Sequence, residues 1–502
     1  MKVTKRGKEV LKKRVEEKKF KLSRLEEVGE FFSYTHLSFW IWFWGTGSGI
    51  FLNLFLFSSL TLYKSLGIFI VIQVLLSILS LCLFRFYPDF LTKKYFLLSA
   101  IIIIATTFMG KVVVSLPQIP DIFFPLAFLS ILFSLFFNLP LSILTLSFLC
   151  IIFTLFSGEF LILPVWFCGA IAGALGASII HQRTDITRVG FWVGVASVFA
   201  FVGVGLFQGF SSMYFFSQIL WALGSGIFSS IIVNVTLPYF ETYFGITTDI
   251  RLLELADLNH PLLHRLSIEA PGTYHHTITV ASLAVAAAEE IGANPLLARV
   301  GAYYHDIGKV TRPHFFYENM RVKGVDDYHA RVSPNLSSMI IISHVKDGVE
   351  LARIFRLPQV VIDIIAQHHG TSLIAYFYRK ALMEKKRKAS VSEADFRYPG
   401  PKPQTKEAAI VMLADSVEAD FRFSSEKSSR KIKERVQKVI ENKLKDHQLE
   451  EADLTLRDLS LITEAFTRVL TGFSHTRKRY PEEMLEIAEK NKDQQYVGGK
   501  NS

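Results

Sequence analysis

The feature that most constrains this chain is a train of apolar stretches from about Ser33 to Leu237, interrupted only by short polar gaps. Roughly 20 apolar residues carry a helix across a bilayer core, and in lipid each segment must satisfy its own backbone amides. The first half of the chain is therefore predicted to be a polytopic transmembrane helical bundle. Candidate spans lie near 39–62, 66–86, 95–116, 121–137, 139–157, 160–181, 189–208 and 213–236. The fourth and fifth are short, parted only by Asn138 and its neighbours, and read as two thin spans or as a re-entrant pair. Half of the 502 residues are hydrophobic and 20% are charged. That excludes a disordered chain and disfavours a purely soluble enzyme.

The cations sit where a membrane topology puts them. The segment before the first span holds Lys2, Lys5, Arg6, Lys8, Lys12, Lys13, Arg14, Lys18, Lys19, Lys21 and Arg24. The gaps after the second and sixth spans hold Arg85, Lys93 and Lys94, then Arg183 and Arg188. The alternate gaps are nearly free of cations, with Lys64 alone in the first of them. Every second loop is basic, so those loops face the cytoplasm, and eight spans place both termini inside. A start that mixes Glu9, Glu16 and Glu17 with its cations does not read as a cleaved signal peptide. Cys82, Cys150 and Cys168 all lie in apolar runs and offer no disulfide framework or thiolate site. Gly169-xxx-Gly173 and Gly190-xxx-Gly194 permit close helix approach. Few ionisable groups fall within the spans, so this half reads as an anchor, with sensing left open.

After Pro238 the composition turns polar. The expected divisions are a basic segment at 1–34, a membrane domain at 35–238, a connector at 239–257, a soluble domain at 258–475 and a polar tail at 476–502. Within 277–291 the residues Ile278, Ala281, Leu283, Val285 and Ala288 recur at helical spacing, and Gly292 stops the run. Similar patterns recur downstream and no alternating strand pattern appears, so the soluble domain is also expected to be all-α.

Twelve of the fourteen histidines fall from His260 onward. In order, the soluble half offers His275-His276, His305-Asp306, His344, His368-His369 and Asp415. Lys309 follows His305 by four residues, one helical turn along the same face. Ligands projecting from separate helices are how a bundle builds a metal site. Imidazole and carboxylate without thiolate suit Fe, Mn, Zn or Mg. The set exceeds what one tetrahedral ion needs and suits two octahedral ions sharing a carboxylate. Two such ions about 3.5–4 Å apart hold a bridging hydroxide and clamp a phosphoryl group, with Lys309 as a further cation. The chemistry expected is phosphoester hydrolysis. His260, His264, His314, His329, His447 and His475 are read as ordinary core or surface residues, and His275 as a donor beside the site.

At these residues a resemblance becomes specific. Pro271-Gly-Thr-Tyr-His-His276, Tyr304-His-Asp-Ile-Gly-Lys309, Arg312-Pro313, Glu318-Asn319, Ser343-His-Val345, Asp347-Gly348, His368-His-Gly-Thr371, Arg397-Tyr-Pro-Gly-Pro-Lys-Pro-Gln404 and Ala414-Asp-Ser-Val-Glu-Ala419 resemble the seven-transmembrane HD phosphohydrolases. Their best described members are the PgpH-type cyclic di-AMP phosphodiesterases of bacteria. The resemblance implies a cytoplasmic HD-domain bundle on a bacterial inner-membrane anchor. It implies two divalent metals, often iron or manganese, and hydrolysis of cyclic di-AMP to pApA. The implied ligands are His276, His305, Asp306, His344, His368, His369 and Asp415, with Asp306 bridging. Family members usually carry a large extracellular domain after their first helix, whereas here only Tyr63-Lys-Ser65 parts the first two expected spans.

Other HD-fold activities compete. Cyclic di-GMP phosphodiesterases carry a Gly-Tyr-Pro element after their His-His pair, and this chain reads His-His-Gly-Thr-Ser there. The (p)ppGpp hydrolases resemble a smaller single-metal set. A membrane receptor that merely binds a nucleotide would not need a complete ligand set. Arg312, Asn319 and Arg379, with Lys309, are the candidate substrate contacts, and the cationic, proline-rich segment 384–404 reads as a solvated insertion bordering the cleft. The partners expected are a cyclic dinucleotide and the lipid bilayer, with self-association open and no nucleic-acid polymer.

Overall fold

The structure, a computed structural model, describes residues 45–48, 50, 62–86, 93–116, 118–157, 160–180, 182–209, 212–323, 328–384, 391–422 and 428–476. The regular structure of the described residues is helical, with one isolated bridge between Leu373 and Arg397 in place of any strand. The chain falls into two compact units, Met1–Ile250 and Arg251–Ser502.

Seven apolar helices make up the described part of the first unit: α1 (Leu62–Phe86), α2 (Lys93–Val114), α3 (Leu126–Phe136), α4 (Leu139–Ser157), α5 (Leu163–Ala177), α6 (Arg183–Gln208) and α7 (Ser212–Phe244). Four of them are long and apolar enough to cross a membrane. The expected span at 39–62 lies almost wholly outside the described residues. α3 has 11 residues, about 16 Å of helix, against a bilayer core of about 30 Å. Ser142 Oγ donates to Ser130 O at 2.9 Å, tying α4 back onto α3. Glycines decide the closest crossing. A Cβ on Gly226 of α7 would lie 2.2 Å from Gly190 O and 2.5 Å from Gly194 N of α6, so only glycine lets these backbones meet. Phe199, Leu206, Phe207, Phe216 and Leu220 are exposed on the outer faces, as side chains facing lipid must be.

The expected connector starts later than the composition suggested. α7 continues through Pro238 to Phe244, because Phe240 and Phe244 still pack on the apolar core of the first unit. The turn that follows is held by Lys94, whose Nζ donates to Gly245 O at 2.9 Å, and by a hydrogen bond from Thr248 to the buried Glu241. α8 (Asp249–Leu255) comes next.

The second unit contains α9 (Pro261–Glu269), α10 (Pro271–Ile291), α11 (Pro295–Tyr304), α12 (Tyr317–Lys323), α13 (Pro334–Ile354), α14 (Gln359–Gln367), α15 (Ala375–Glu384), α16 (Lys406–Phe421), α17 (Ser429–Lys445) and α18 (Leu456–Thr476). Local chemistry sets the boundaries. Asn294 Oδ1 caps α11 by accepting from Leu296 N and Leu297 N, with Pro295 in the first turn. Ser333 caps α13 and Thr405 caps α16. Gly292 ends α10 in the left-handed conformation at φ 67°. α10 and α16 face each other through alanines and β-branched residues, Ala284, Ala287, Ala288, Ala408, Ala409 and Val411 among them, all fully buried. Small side chains there bring the two helices close, and that closeness positions the polar residues at one end.

Candidate metal centre

α11 ends at Tyr304, and His305 is its C-cap. The expectation that Lys309 lies one α-turn from His305 is therefore corrected. Asp306 leaves the helix at φ −107°, ψ 13°, and Ile307–Thr311 continue as a 3₁₀ turn, which sets Lys309 against Asp306 instead. Gly308 explains the departure. A Cβ there would lie 1.8 Å from His344 O and 2.5 Å from Gly348 N, so the turn sits directly on the backbone of α13. That contact delivers Asp306 to His344.

All seven expected ligand residues converge. His276 comes from α10, His305 and Asp306 from the end of α11, His344 from α13, His368 and His369 from the end of α14, and Asp415 from α16. The Asp306 carboxylate stands at the middle, and its two oxygens face different histidines. Oδ2 lies 3.2 Å from His305 Nε2 and 3.5 Å from His276 Nε2. Oδ1 lies 3.3 Å from His344 Nε2 and 3.8 Å from His368 Nε2. Two groups able to hold a metal ion thus share Asp306: one with His276 and His305, the other with His344, His368 and His369. Asp415 borders both, its Oδ1 3.0 Å from His276 Nε2 and its Oδ2 3.7 Å from His369 Nδ1.

The imidazoles are aimed by what they touch. Nδ1 of His305, His344 and His368 donates to the carbonyls of Ala302, Ile341 and Ile365 at 2.7, 2.5 and 2.8 Å. Each ring therefore turns an Nε2 lone pair inward. His276 instead places Nδ1 2.6 Å from Glu418 Oε2. Burial disfavours a charge on His276, yet the hydrogen bonds to Asp415 and Glu418 outweigh it and raise its pKa to about 10. Burial, with a smaller effect from the neighbouring His305, brings His368 down to about 3, and burial also lowers His344 and His369. Burial opposes ionisation of Asp306 as well, but Lys309, His305 and His344 hold it well below the usual carboxylate range.

Do the residues fit a metal? Nε2 of His305 and both oxygens of Asp306 are buried without a well-directed hydrogen bond, although the Lys309 ammonium pairs with Oδ2 at 2.7 Å. Buried polar atoms are ordinarily partnered. Inward-turned imidazole nitrogens and ionised carboxylates brought onto one point are the donor set a divalent cation needs, once His276 gives up its proton. The fit is good.

The candidate substrate contacts fare differently. Lys309 is half-buried and paired with Asp306 and with Glu318 at 2.9 Å, so its charge is already committed within the cluster. Asn319 is 1% exposed. It accepts from Thr273 N at 3.1 Å and donates to Thr273 Oγ1 at 2.9 Å. Its amide latches α12 to the start of α10. Arg312 is exposed and donates to Ser343 Oγ at 2.7 Å, and Arg379 is exposed on α15. His275 is exposed too, so it does not serve as a donor at the cluster. His260 caps α9 and His329 is bonded to Phe315 O.

The roles of three residues escaped the sequence reading. Glu418 holds His276, and Arg422 pairs with Glu418 at 2.6 Å and lies 3.6 Å from Glu318. Tyr398 stacks on His369, with ring centroids 4.3 Å apart. A signal existed for two of them. Asp415, Glu418 and Arg422 recur at i, i+3 and i+7 on a helix whose stretch from Ala408 to Leu413 is fully buried. Charges on a buried stripe need a reason.

Fold and site together define a polytopic α-helical membrane protein whose second unit carries an HD-type His/Asp cluster suited to divalent metal. Residues 62–248 match the family of 7TM receptors with an intracellular HD hydrolase, and residues 273–420 match the HD domain. The chain belongs to the seven-transmembrane HD phosphohydrolase family. It is 44% identical over 314 residues to the cyclic-di-AMP phosphodiesterase PgpH of Bacillus subtilis, covering 62% of this chain and 44% of the relative. It is 44% identical over 306 residues to PgpH of Listeria monocytogenes, covering 60% of this chain and 42% of that one. The chain thus spans less than half the length of these relatives. A crystal structure of the L. monocytogenes PgpH HD domain in complex with cyclic di-AMP aligns with 48% identity over 44% of this chain and 100% of its own, at a TM-score of 0.41.

Proposed function

We propose that the chain is a membrane-anchored, divalent-metal-dependent phosphodiesterase that hydrolyses cyclic di-AMP to pApA. The observation that carries the reading is the division of the Asp306 carboxylate between two histidine groups. In the proposed assignment His276, His305, Asp306 and Asp415 hold one ion, and Asp306, His344, His368 and His369 hold the other, with manganese or iron as the metals. Such ions, when bound, lower the pKa of water and neutralise charge on a phosphoryl group. The chain's own residues supply the geometry. Carbonyls fix three imidazoles, Glu418 fixes the fourth, and the Glu318–Lys309 pair steadies Asp306.

Metal chemistry at phosphorus is indifferent to the base, so the choice of adenine is drawn from the relatives named cyclic-di-AMP phosphodiesterases. In the proposed topology the second unit and both termini face the cytoplasm, where a cyclic dinucleotide would be met. Purified full-length chain with Mn²⁺ is the test, reading kcat/KM for cyclic di-AMP and cyclic di-GMP. A preference for cyclic di-AMP is expected. Equal values, or a preference for guanine, would sink the substrate reading and leave the phosphodiesterase reading standing, while no turnover of either sinks both.

A further inference from the structure

Tyr398 sits in the irregular stretch between α15 and α16. Its neighbour Arg397 is fixed by Asp446 at 2.9 Å and by Thr371 O at 2.8 Å. The Tyr398 N–H donates to Ser372 O at 3.1 Å, and Ser372 N donates to His369 O at 3.0 Å. The residue is therefore pinned to the turn that follows His368-His369. Its ring lies on His369 at an interplanar angle of 28°, with His344 6.1 Å away. The side chain is only 8% exposed, and among the described residues its hydroxyl has no hydrogen-bond partner. The ring lies against two members of the cluster, His369 and His344.

The hydroxyl has no partner among the described residues, yet it is not one of the fully buried unpartnered atoms, so it stays open to solvent and to an acceptor arriving there. The ring alone would explain the stacking on His369; the oxygen needs another reason. An anionic acceptor arriving with the substrate supplies one. We propose that the Tyr398 hydroxyl is a substrate contact, donating a hydrogen bond to a non-bridging oxygen of the phosphoryl group under attack. The contact presupposes the phosphodiesterase reading above. Charge grows on that oxygen toward the transition state, so the bond strengthens there and acts chiefly on kcat.

The full chain, loaded with Mn²⁺, tests this with Tyr398→Phe. We expect unchanged metal content, a Tm equal to or above the wild type, and kcat lower by about 10- to 100-fold. The loss should be the same for cyclic di-AMP and for bis(p-nitrophenyl) phosphate, because the contact is to phosphate and not to a base. Full kcat in the variant, or a loss that follows lost metal or a lowered Tm, overturns the proposal. Calorimetry with inorganic phosphate gives a readout without turnover, and about tenfold weaker binding is expected in the variant. If the wild type cleaves neither diester, the phosphodiesterase reading falls, and phosphate affinity decides Tyr398 by itself: equal affinity overturns the contact.

Discussion

Metal loading of this cluster should release one proton, and His276 is where it comes from. In the metal-free site Asp415 and Glu418 raise the His276 pKa to about 10, against an ordinary value of 6.5. The sign follows directly. A raised pKa means the bound proton stabilises the metal-free fold fully below the ordinary value, and that stabilisation disappears as pH rises through about 10. A metal needs the neutral imidazole. At pH 7 only about one molecule in a thousand has it, a penalty of roughly 4 kcal/mol on the first ion. His368, near 3, is already neutral and releases nothing. Affinity at the His276 site should therefore rise about 100-fold between pH 7 and pH 9. Titration calorimetry of metal-stripped chain with Mn²⁺, run at pH 7 in two buffers of different ionisation enthalpy, counts the protons. About one proton per chain is expected, and none in His276→Gln. Zero release in the wild type, or undiminished release in the variant, would refute the reasoning.

Asp306→Ala should strip both ions and cut hydrolysis by at least about a thousandfold, since the carboxylate faces both histidine groups; a variant retaining two metals and full activity would overturn the site. Gly308→Ala should lower Tm and metal content together, because its Cβ would meet His344 O at 1.8 Å and must push Asp306 away from α13; unchanged metal analysis would show that the close approach is dispensable. Asn319→Ala should cost about 1–3 kcal/mol by orphaning the buried Thr273 groups, with KM near wild type in the protein that remains folded; a KM effect without a stability effect would mark it as a substrate contact. Reporter fusions at residues 10 and 490 should both read cytoplasmic, as the basic alternate loops require, and an external C-terminus would strand the metal cluster away from any intracellular dinucleotide.

What the sequence disclosed and what it hid follow from the range of the interactions. Apolar runs and the 3.6-residue period are local, so the helices of both units were readable along the chain. The seven residues that converge on the cluster were readable because each is a chemically conspicuous residue in a short motif. The identity of Asp306 as the shared carboxylate came from resemblance; its physical cause lies in a backbone detail. A glycine two residues later lets a 3₁₀ turn rest on α13, and only the folded chain shows which carbonyl that glycine touches. Asn319 is the complementary case: its place beside a charged motif was legible, whereas its burial against Thr273 is visible only in the folded chain. Tyr398 was hardest to find, since it lies among Pro399, Pro401 and Pro403 with Gly400 at φ 85°, where no periodicity operates. Its position is set by long-range bonds, from Arg397 to Asp446 and from its own N–H to Ser372. The residues proposed to hold the ions sit on regular helices or at their ends, whereas the hydroxyl proposed to read the phosphate sits on a segment held by tertiary contacts. Substitutions at Asp446 or Ser372 should therefore impair catalysis through Tyr398 while leaving the helices that carry the ligands intact.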